Sequence, residues 1–280
     1  MLPLPDGSLA TLAALDASAR RTVRAGLLLP WANVAVETEL PRLGLRNTVF
    51  HHARLVPGSG TTAVDESFWH GLRLASADAL DSLSPIELDA ALLACTSAGF
   101  TGGPPLPAGL ITAYDAILAA LAASDVTRVV LATPYPTEVT EAEAGALAGA
   151  GIEVLGHASL AQDDGYPQVI TDTILALVDR IPQHAVAAAQ AVVLSCTGWH
   201  TLQAVAELEQ RLRIPVLSSN LAMALFAARL SSIDDFSRPM HEAEAPYKVA
   251  QCTLLTARGQ RCGITPRAHR DRTDRPGSIR

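Results

Sequence analysis

Short apolar runs closed by proline, glycine or a small polar residue alternate along this chain with longer Ala- and Leu-rich stretches. The runs are Ala25 to Leu29 ahead of Pro30, Ala90 to Ala94, Arg128 to Ala132, Ile152 to Leu155, Ala191 to Leu194, and Val216 to Leu217. Their brevity and their lack of polar alternation suit strands buried on both faces of a parallel sheet. Between them, Glu66 to Leu83, Ala108 to Ala123, Glu141 to Ala150, Thr171 to Arg180 and Leu202 to Leu212 read as helices, with a weaker helix from Leu9 to Arg20. This alternation predicts an α/β protein whose helices cover parallel sheets on both faces.

The chain also repeats itself. Leu92-Leu-Ala-Cys-Thr-Ser97 is echoed by Val193-Leu-Ser-Cys-Thr-Gly198, 101 positions later. Each cysteine-ended strand is preceded by a strand that runs into proline, at Pro30 and Pro134, 65 and 62 positions before Cys95 and Cys196. The echo predicts two pseudo-symmetric halves, each a parallel sheet flanked by helices: residues 22–113, completed by 216–232, and residues 114–215. Residues 233–280 form a basic C-terminal extension. Ligands of parallel α/β sheets bind beyond the carboxyl ends of the strands, which is where both cysteines fall. The active site is therefore expected in the cleft between the halves, with one thiol on each side.

Composition narrows the class. Of 280 residues 49% are hydrophobic and only 18% charged, too apolar for a disordered chain and enough for one large domain or two smaller ones. Residues 258–280 carry seven arginines against two aspartates, whereas the remaining 257 residues hold 14 basic and 26 acidic side chains. An acidic body argues against nucleic acid as partner, since phosphate binding needs clustered basic residues. The basic arm is expected to dock on that body or on a neighbouring subunit through arginine contacts. No stretch of about 18 apolar residues is present to span a membrane. Arg20-Arg21 and the following apolar run are interrupted by Arg24 and stopped by Pro30, so they do not read as an export signal, and a cytoplasmic location is expected. The cysteines at 95, 196, 252 and 262 show neither metal-ligand spacing nor a disulfide framework, which in a reducing compartment makes them free thiols.

A Cys-Thr pair at a strand end, opening a Gly-containing turn into a helix, has a chemical logic. Helix N-terminal amides stabilise a thiolate and can hold a carboxylate without any arginine. Two opposed thiols can act as acid and base, or as nucleophile and acid, across a small carboxylate. A single free cysteine also packs as a small buried hydrophobe; two in matched contexts favour the chemistry.

Four stretches carry a resemblance to the aspartate/glutamate racemase superfamily, and within it to the maleate cis-trans isomerase and arylmalonate decarboxylase branch. They are Gly26 to Asn33 with Glu37 to Pro41, Ala94 to Phe100, Ala132 to Glu138, and Leu194 to Thr201 leading through Leu208-Glu209 to Ile214–Asn220. The resemblance implies that Cys95 and Cys196 are the catalytic pair. In the isomerases the first adds to the double bond of maleate and the second handles the proton. It further implies that Asn33 contacts a substrate carboxylate, that Tyr135 is the tyrosine of the Thr-Pro-Tyr turn, and that Thr96, Ser97, Thr197 and Gly198 lie against the substrate. Decarboxylases of this branch resemble the pattern with glycine at the first cysteine, so Cys95 implies isomerase or racemase chemistry. The branch implies no cofactor and no metal, a small carboxylate substrate, and a homodimer or higher homo-oligomer.

Departures from the isomerase pattern point to a substrate other than maleate, with one carboxylate and an apolar group. Trp31 and Ala32 precede the asparagine, Gly165 stands where a further asparagine is expected, and Trp199-His200 follow the second cysteine. His200 would lie one turn along a helix from Cys196. His51 and His52 read as a strand edge, and Glu37 and Glu39 as residues capping or flanking the first helix. The decarboxylase that protonates an enediolate through Cys196, and a carboxylate-binding protein on a decayed scaffold, are the alternatives.

Overall fold

The computed structural model describes residues 7–56 and 63–232. The first half runs α1 (Ser8–Ala17), β1 (Val23–Pro30), α2 (Ala35–Arg42), β2 (Thr48–Leu55), α3 (Glu66–Ser82), β3 (Ala90–Leu93) and β4 (Leu110–Thr112). Helix α4 (Ala113–Ala122) leads into β5 (Arg128–Thr133), α5 (Thr137–Gly149), β6 (Glu153–Ser159), α6 (Thr171–Asp179), α7 (Gln183–Ala188) and β7 (Ala191–Leu194). The described chain closes with α8 (Leu202–Leu212), β8 (Val216–Ser218) and α9 (Ser219–Leu230). The strands form two four-stranded sheets, ordered β2-β1-β3-β4 and β6-β5-β7-β8, and every pairing is parallel. One plan is used twice, as the echo around the cysteines predicts.

Both faces of the first sheet are covered, which explains its unbroken apolar runs. Successive side chains of a strand point to opposite faces. Leu28 and Leu93 pack under α3 with Phe68, Leu72 and Ala79. Leu27, Leu29, Leu92 and Ile111 face the other way, into a core shared with α4, α9 and the second half. Every residue of α9 except Arg229 is buried, because the helix is wedged against α1 and α4.

Two boundaries differ from the sequence expectation. The helix expected over 108–123 begins only at Ala113: Leu110–Thr112 pairs with β3. A reciprocal cap then starts the helix, with Asp115 N donating to Thr112 Oγ1 at 3.1 Å and Thr112 N to Asp115 Oδ2 at 2.9 Å. Residues 216–218 pair with β7, so they extend the second sheet instead of completing the first half. The basic segment from 233 onward, with Cys252 and Cys262, lies outside the described residues.

Candidate active site

In a sheet ordered 2-1-3-4 the connections leave the first and third strands in opposite directions, opening a crevice at their carboxyl ends. Pro30 and Asn33 follow β1, and Cys95 follows β3; Tyr135 follows β5, and Cys196 follows β7. These four positions meet. A cavity of about 80 Å³ is walled by Asn33, Cys95, Thr96, Ser97, Tyr135, Cys196, Thr197 and Gly198, all eight residues singled out from the sequence. Pro30, Val64, Phe68, Tyr166 and Pro167 add an apolar side, with Asp164 and Gly165 beside them. Among the described residues, this wall carries no lysine, arginine or histidine. A carboxylate entering it would be met by O–H and N–H donors rather than by a cationic side chain.

The halves are stitched together at the cysteines. Thr197 Oγ1 donates to the carbonyl of Ala94 at 2.6 Å, and Asn33 Nδ2 donates to Thr197 Oγ1 at 3.0 Å. Thr96 Oγ1 and the Cys196 N–H both donate to Ser219 Oγ, at 2.9 and 3.0 Å. Asn33 also caps α2, its Oδ1 accepting from Val36 N at 3.2 Å. Its amide thus holds the two halves in register while it lines the cavity.

Glu39, on α2 and 2% exposed, makes a further bridge. Its carboxylate accepts from the N–H and hydroxyl of Thr201, from Leu202 N at 2.7 Å and from Asn220 Nδ2 at 2.7 Å. It therefore neutralises the positive start of α8 from the opposite half of the molecule. Glu37 takes the other direction, toward Arg54 and His52 at the surface.

Each thiol has its own surroundings. Burial pushes the Cys95 thiol up; a hydrogen bond from Ser97, the backbone N–H of Ala98, the charge of Arg73 and the N–H of Ser97 pull it back. Burial pushes Cys196 up to about 12, against the opposing pull of the Gly198 N–H and the Tyr135 hydroxyl, while Cys95 and the buried Glu143 add to the rise. Gly198 N lies 3.2 Å from the Cys196 sulfur. A Cβ at Gly198 would stand 3.2 Å from the Tyr166 ring and 3.4 Å from that sulfur, so glycine there lets the loop close over the thiol. Tyr166 meets Tyr135 edge-on, ring centres 5.8 Å apart. Cys196 itself has φ of 147°, a value that side-chain-bearing residues rarely adopt and that costs on the order of 1–3 kcal/mol.

Two expectations are corrected here. Neither thiol sits at the start of an α-helix: Cys95 is followed by a 3-10 turn over Ser97–Gly99, and α8 begins six positions after Cys196. Local N–H donors and hydroxyls, not a helix dipole, are what oppose the rise that burial imposes on each thiol. For the same reason His200 lies in the loop before α8, not one helical turn from the thiol. Val64, Phe68, Trp69, Arg73, Glu143, Tyr166 and Ser219 were not singled out from the sequence. For Trp69 and Arg73 a signal existed in their one-face spacing on a predicted helix. For Glu143 none did.

With the geometry in place, the comparisons are specific. A family model described as arylmalonate decarboxylase matches residues 100–242. The arylmalonate decarboxylase of Bordetella bronchiseptica is 36% identical over 130 residues, covering 46% of this chain and 54% of that one; the match thus spans about half the length of that relative. A Nocardia farcinica maleate cis-trans isomerase mutant, solved with a covalently bound succinylcysteine intermediate, superposes with a TM-score of 0.66 at 23% identity, over 75% of this chain and 92% of that one. A cysteine-to-alanine variant of the maleate isomerase of Pseudomonas putida S16, solved with maleate, gives 0.66 at 22% identity over 79% and 95%. A liganded double mutant of arylmalonate decarboxylase gives 0.63 at 28% identity over 78% and 96%.

Proposed function

Because this chain belongs to the arylmalonate decarboxylase family, within the Asp/Glu racemase-like superfamily, we propose that it is a cofactor-independent isomerase or racemase of a small carboxylate that works through Cys95 and Cys196. The observation that carries this reading is the presence of both thiols on one cavity, at equivalent strand ends of two halves that repeat one topology. On an α-substituted acid, the thiolate of one cysteine removes the α-proton and the thiol of the other returns one to the opposite face. On a cis-alkenedioate, one cysteine thiolate adds to an alkene carbon while the electron pair of the double bond takes the proton of the other thiol at the neighbouring carbon; the resulting single bond rotates, and return of that proton to the second cysteine expels the first as thiolate and restores the double bond in the trans form. In either case the backbone N–H groups of Thr96 and Thr197 are the donors that hold the carboxylate. The apolar side of Val64, Phe68 and Tyr166 suits a substrate with one apolar substituent.

A second reading has its own support in the family model and the Bordetella relative: loss of carbon dioxide from a malonate, followed by protonation of the enediolate by Cys196. Incubation with maleate, with chiral α-substituted acids and with arylmalonates in deuterium oxide separates these outcomes as isomerisation, α-deuteration with racemisation, and carbon dioxide release. Cys95→Ser and Cys196→Ser are each expected to lower isomerase or racemase turnover by orders of magnitude in folded protein, since serine is far less acidic than cysteine. Near-full activity in either variant sinks the two-cysteine mechanism. Decarboxylation that survives Cys95→Ser but not Cys196→Ser selects the second reading.

A further inference from the structure

Trp69 and Arg73 lie one turn apart on α3, on one face, and both reach the segment that follows Cys95. The Trp69 indole Nε1 donates to Ser97 Oγ at 2.9 Å. Arg73 grips the next stretch of backbone: Nη2 donates to the carbonyls of Ala98 at 2.5 Å and Thr101 at 2.7 Å, and Nη1 to that of Pro104 at 3.0 Å.

The direction of these bonds has a chemical consequence. An indole N–H is a donor only, so Ser97 Oγ must accept from it, and the hydroxyl's own proton points elsewhere. The Cys95 sulfur is 3.5 Å from that oxygen. The indole takes one of the two acceptor sites of Ser97 Oγ and leaves the hydroxyl proton free to be donated to the sulfur, for which a thiolate is a far stronger acceptor than a thiol. Arg73 adds a positive charge behind the same turn. Its guanidinium donates to these three carbonyl oxygens, which hold it in place without cancelling its charge. Of the other groups that face Cys95, Cys196 at the end of β7, Tyr135 after β5 and Tyr166 in the loop after β6 are neutral acids, and Asp164 lines the same cavity. None supplies a positive charge, so α3 is the element that does.

We propose that Trp69 and Arg73 are positioning residues that favour the thiolate of Cys95 against its burial, the first by orienting the Ser97 hydroxyl toward the sulfur and the second by fixing the 97–104 turn under a half-buried positive charge. The inference deepens the two-cysteine reading and rests on it for its effect on turnover. It requires nothing of the substrate for its effect on the thiol.

The test is alkylation of the full chain by iodoacetamide across pH 6 to 11, with peptide mass spectrometry reporting Cys95 and Cys196 separately in each sample. Trp69→Phe removes the N–H and keeps the ring; Arg73→Gln removes the charge, and Arg73→Lys keeps it. Trp69→Phe and Arg73→Gln are expected to move the midpoint of Cys95 modification upward and slow it at pH 7 about tenfold, the equivalent of about one pKa unit. Cys196 in the same samples should change less than about twofold, and Arg73→Lys should recover most of the Cys95 rate. Ser97→Ala breaks the same relay from its middle and must reproduce Trp69→Phe, so it carries the test should the tryptophan variant fail to fold. A Cys95 midpoint unmoved in these variants overturns the proposal, as does an equal movement of both cysteines, which would mean only that the cavity has collapsed. If the midpoint moves but turnover does not, the positioning role stands and the two-cysteine mechanism falls.

Discussion

Glu143 offers the sharpest test of how the second half is built. It sits on α5 and is fully buried. Ser195 Oγ donates to its Oε1 at 2.5 Å, and its Oε2 has no hydrogen-bond partner. Burial lifts its carboxyl from an ordinary 4.5 to about 8, the Ser195 hydrogen bond pulling the other way, so at neutral pH it is a neutral acid. In the unfolded chain the same group ionises near 4.5. Below about pH 4.5 both states are protonated and Glu143 contributes its full stability. As pH rises from there, the unfolded chain releases a proton that the native protein retains, and stability falls until about pH 8, where the native group ionises too. At about 1.4 kcal/mol for each tenfold change in acidity, the span from 4.5 to about 8 amounts to about 5 kcal/mol. That is a large part of the 5–15 kcal/mol that typically holds a folded protein together.

Glu143→Gln keeps the shape and the acceptor for Ser195 but cannot ionise. Urea unfolding of both proteins at pH 5, 6, 7, 8 and 9 isolates the effect, because all other carboxylates cancel in the difference. The glutamine variant is expected to gain on the wild type steadily from pH 5 to pH 8 and to hold a constant advantage above it. A difference that is flat across this range would refute the assignment of Glu143 as a buried neutral acid.

Glu39→Ala should cost about 3–5 kcal/mol by urea denaturation, since it strands the buried donors of Thr201, Leu202 and Asn220; a loss below about 1 kcal/mol would mean that the bridge is solvated. Gly99→Ala places a Cβ 2.5 Å from both Thr112 Oγ1 and Tyr114 Cβ, so it should destabilise by about 1–3 kcal/mol and slow Cys95 alkylation by displacing its turn. Cys196→Gly should be more stable than Cys196→Ala by about 1–2 kcal/mol in thermal unfolding, against the usual preference for alanine, because glycine relaxes the backbone at φ 147°; the opposite order would remove the strain argument.

The duplicated sheet was legible because buried parallel strands have no solvent face, so runs such as Ala90 to Leu93 or Ala191 to Leu194 stand out as blocks. Strand β2 was legible only at His51-His52, read as a strand edge; the rest of Thr48–Leu55 forms no apolar block, because an edge strand interleaves exposed and half-buried positions. Helix α9 shows no periodicity for the opposite reason: with nearly every residue buried there is no polar stripe to mark a face. The cavity residues at strand ends were found because chemistry and topology coincide there. Glu39 was read only as capping or flanking the first helix and Glu143 not at all, because a glutamate in a helical stretch reads as solvated. What buries them is a set of donors that the fold brings from far away: Thr201, Leu202 and Asn220 for one, Ser195 for the other.

Duplication supplies two thiols by symmetry, but an enzyme that moves a proton from one to the other needs them to differ at any moment. The structure breaks the symmetry by separate means on each side. Cys95 has ordinary backbone and is tuned through side chains, by way of Ser97 and the α3 pair behind it. Cys196 is held by the backbone itself, at a strained φ fixed by its N–H to Ser219 and by the Thr197 hydroxyl on Ala94, and its electrostatic neighbours are weak acids, Tyr135 and Glu143. Strain of this kind persists only where surrounding bonds over-determine it, and here those bonds come from both halves. The same contacts that close the cleft thus impose the conformation of the second thiol, whereas the turn after Cys95 is also held from behind, within the first half, by Trp69 and Arg73.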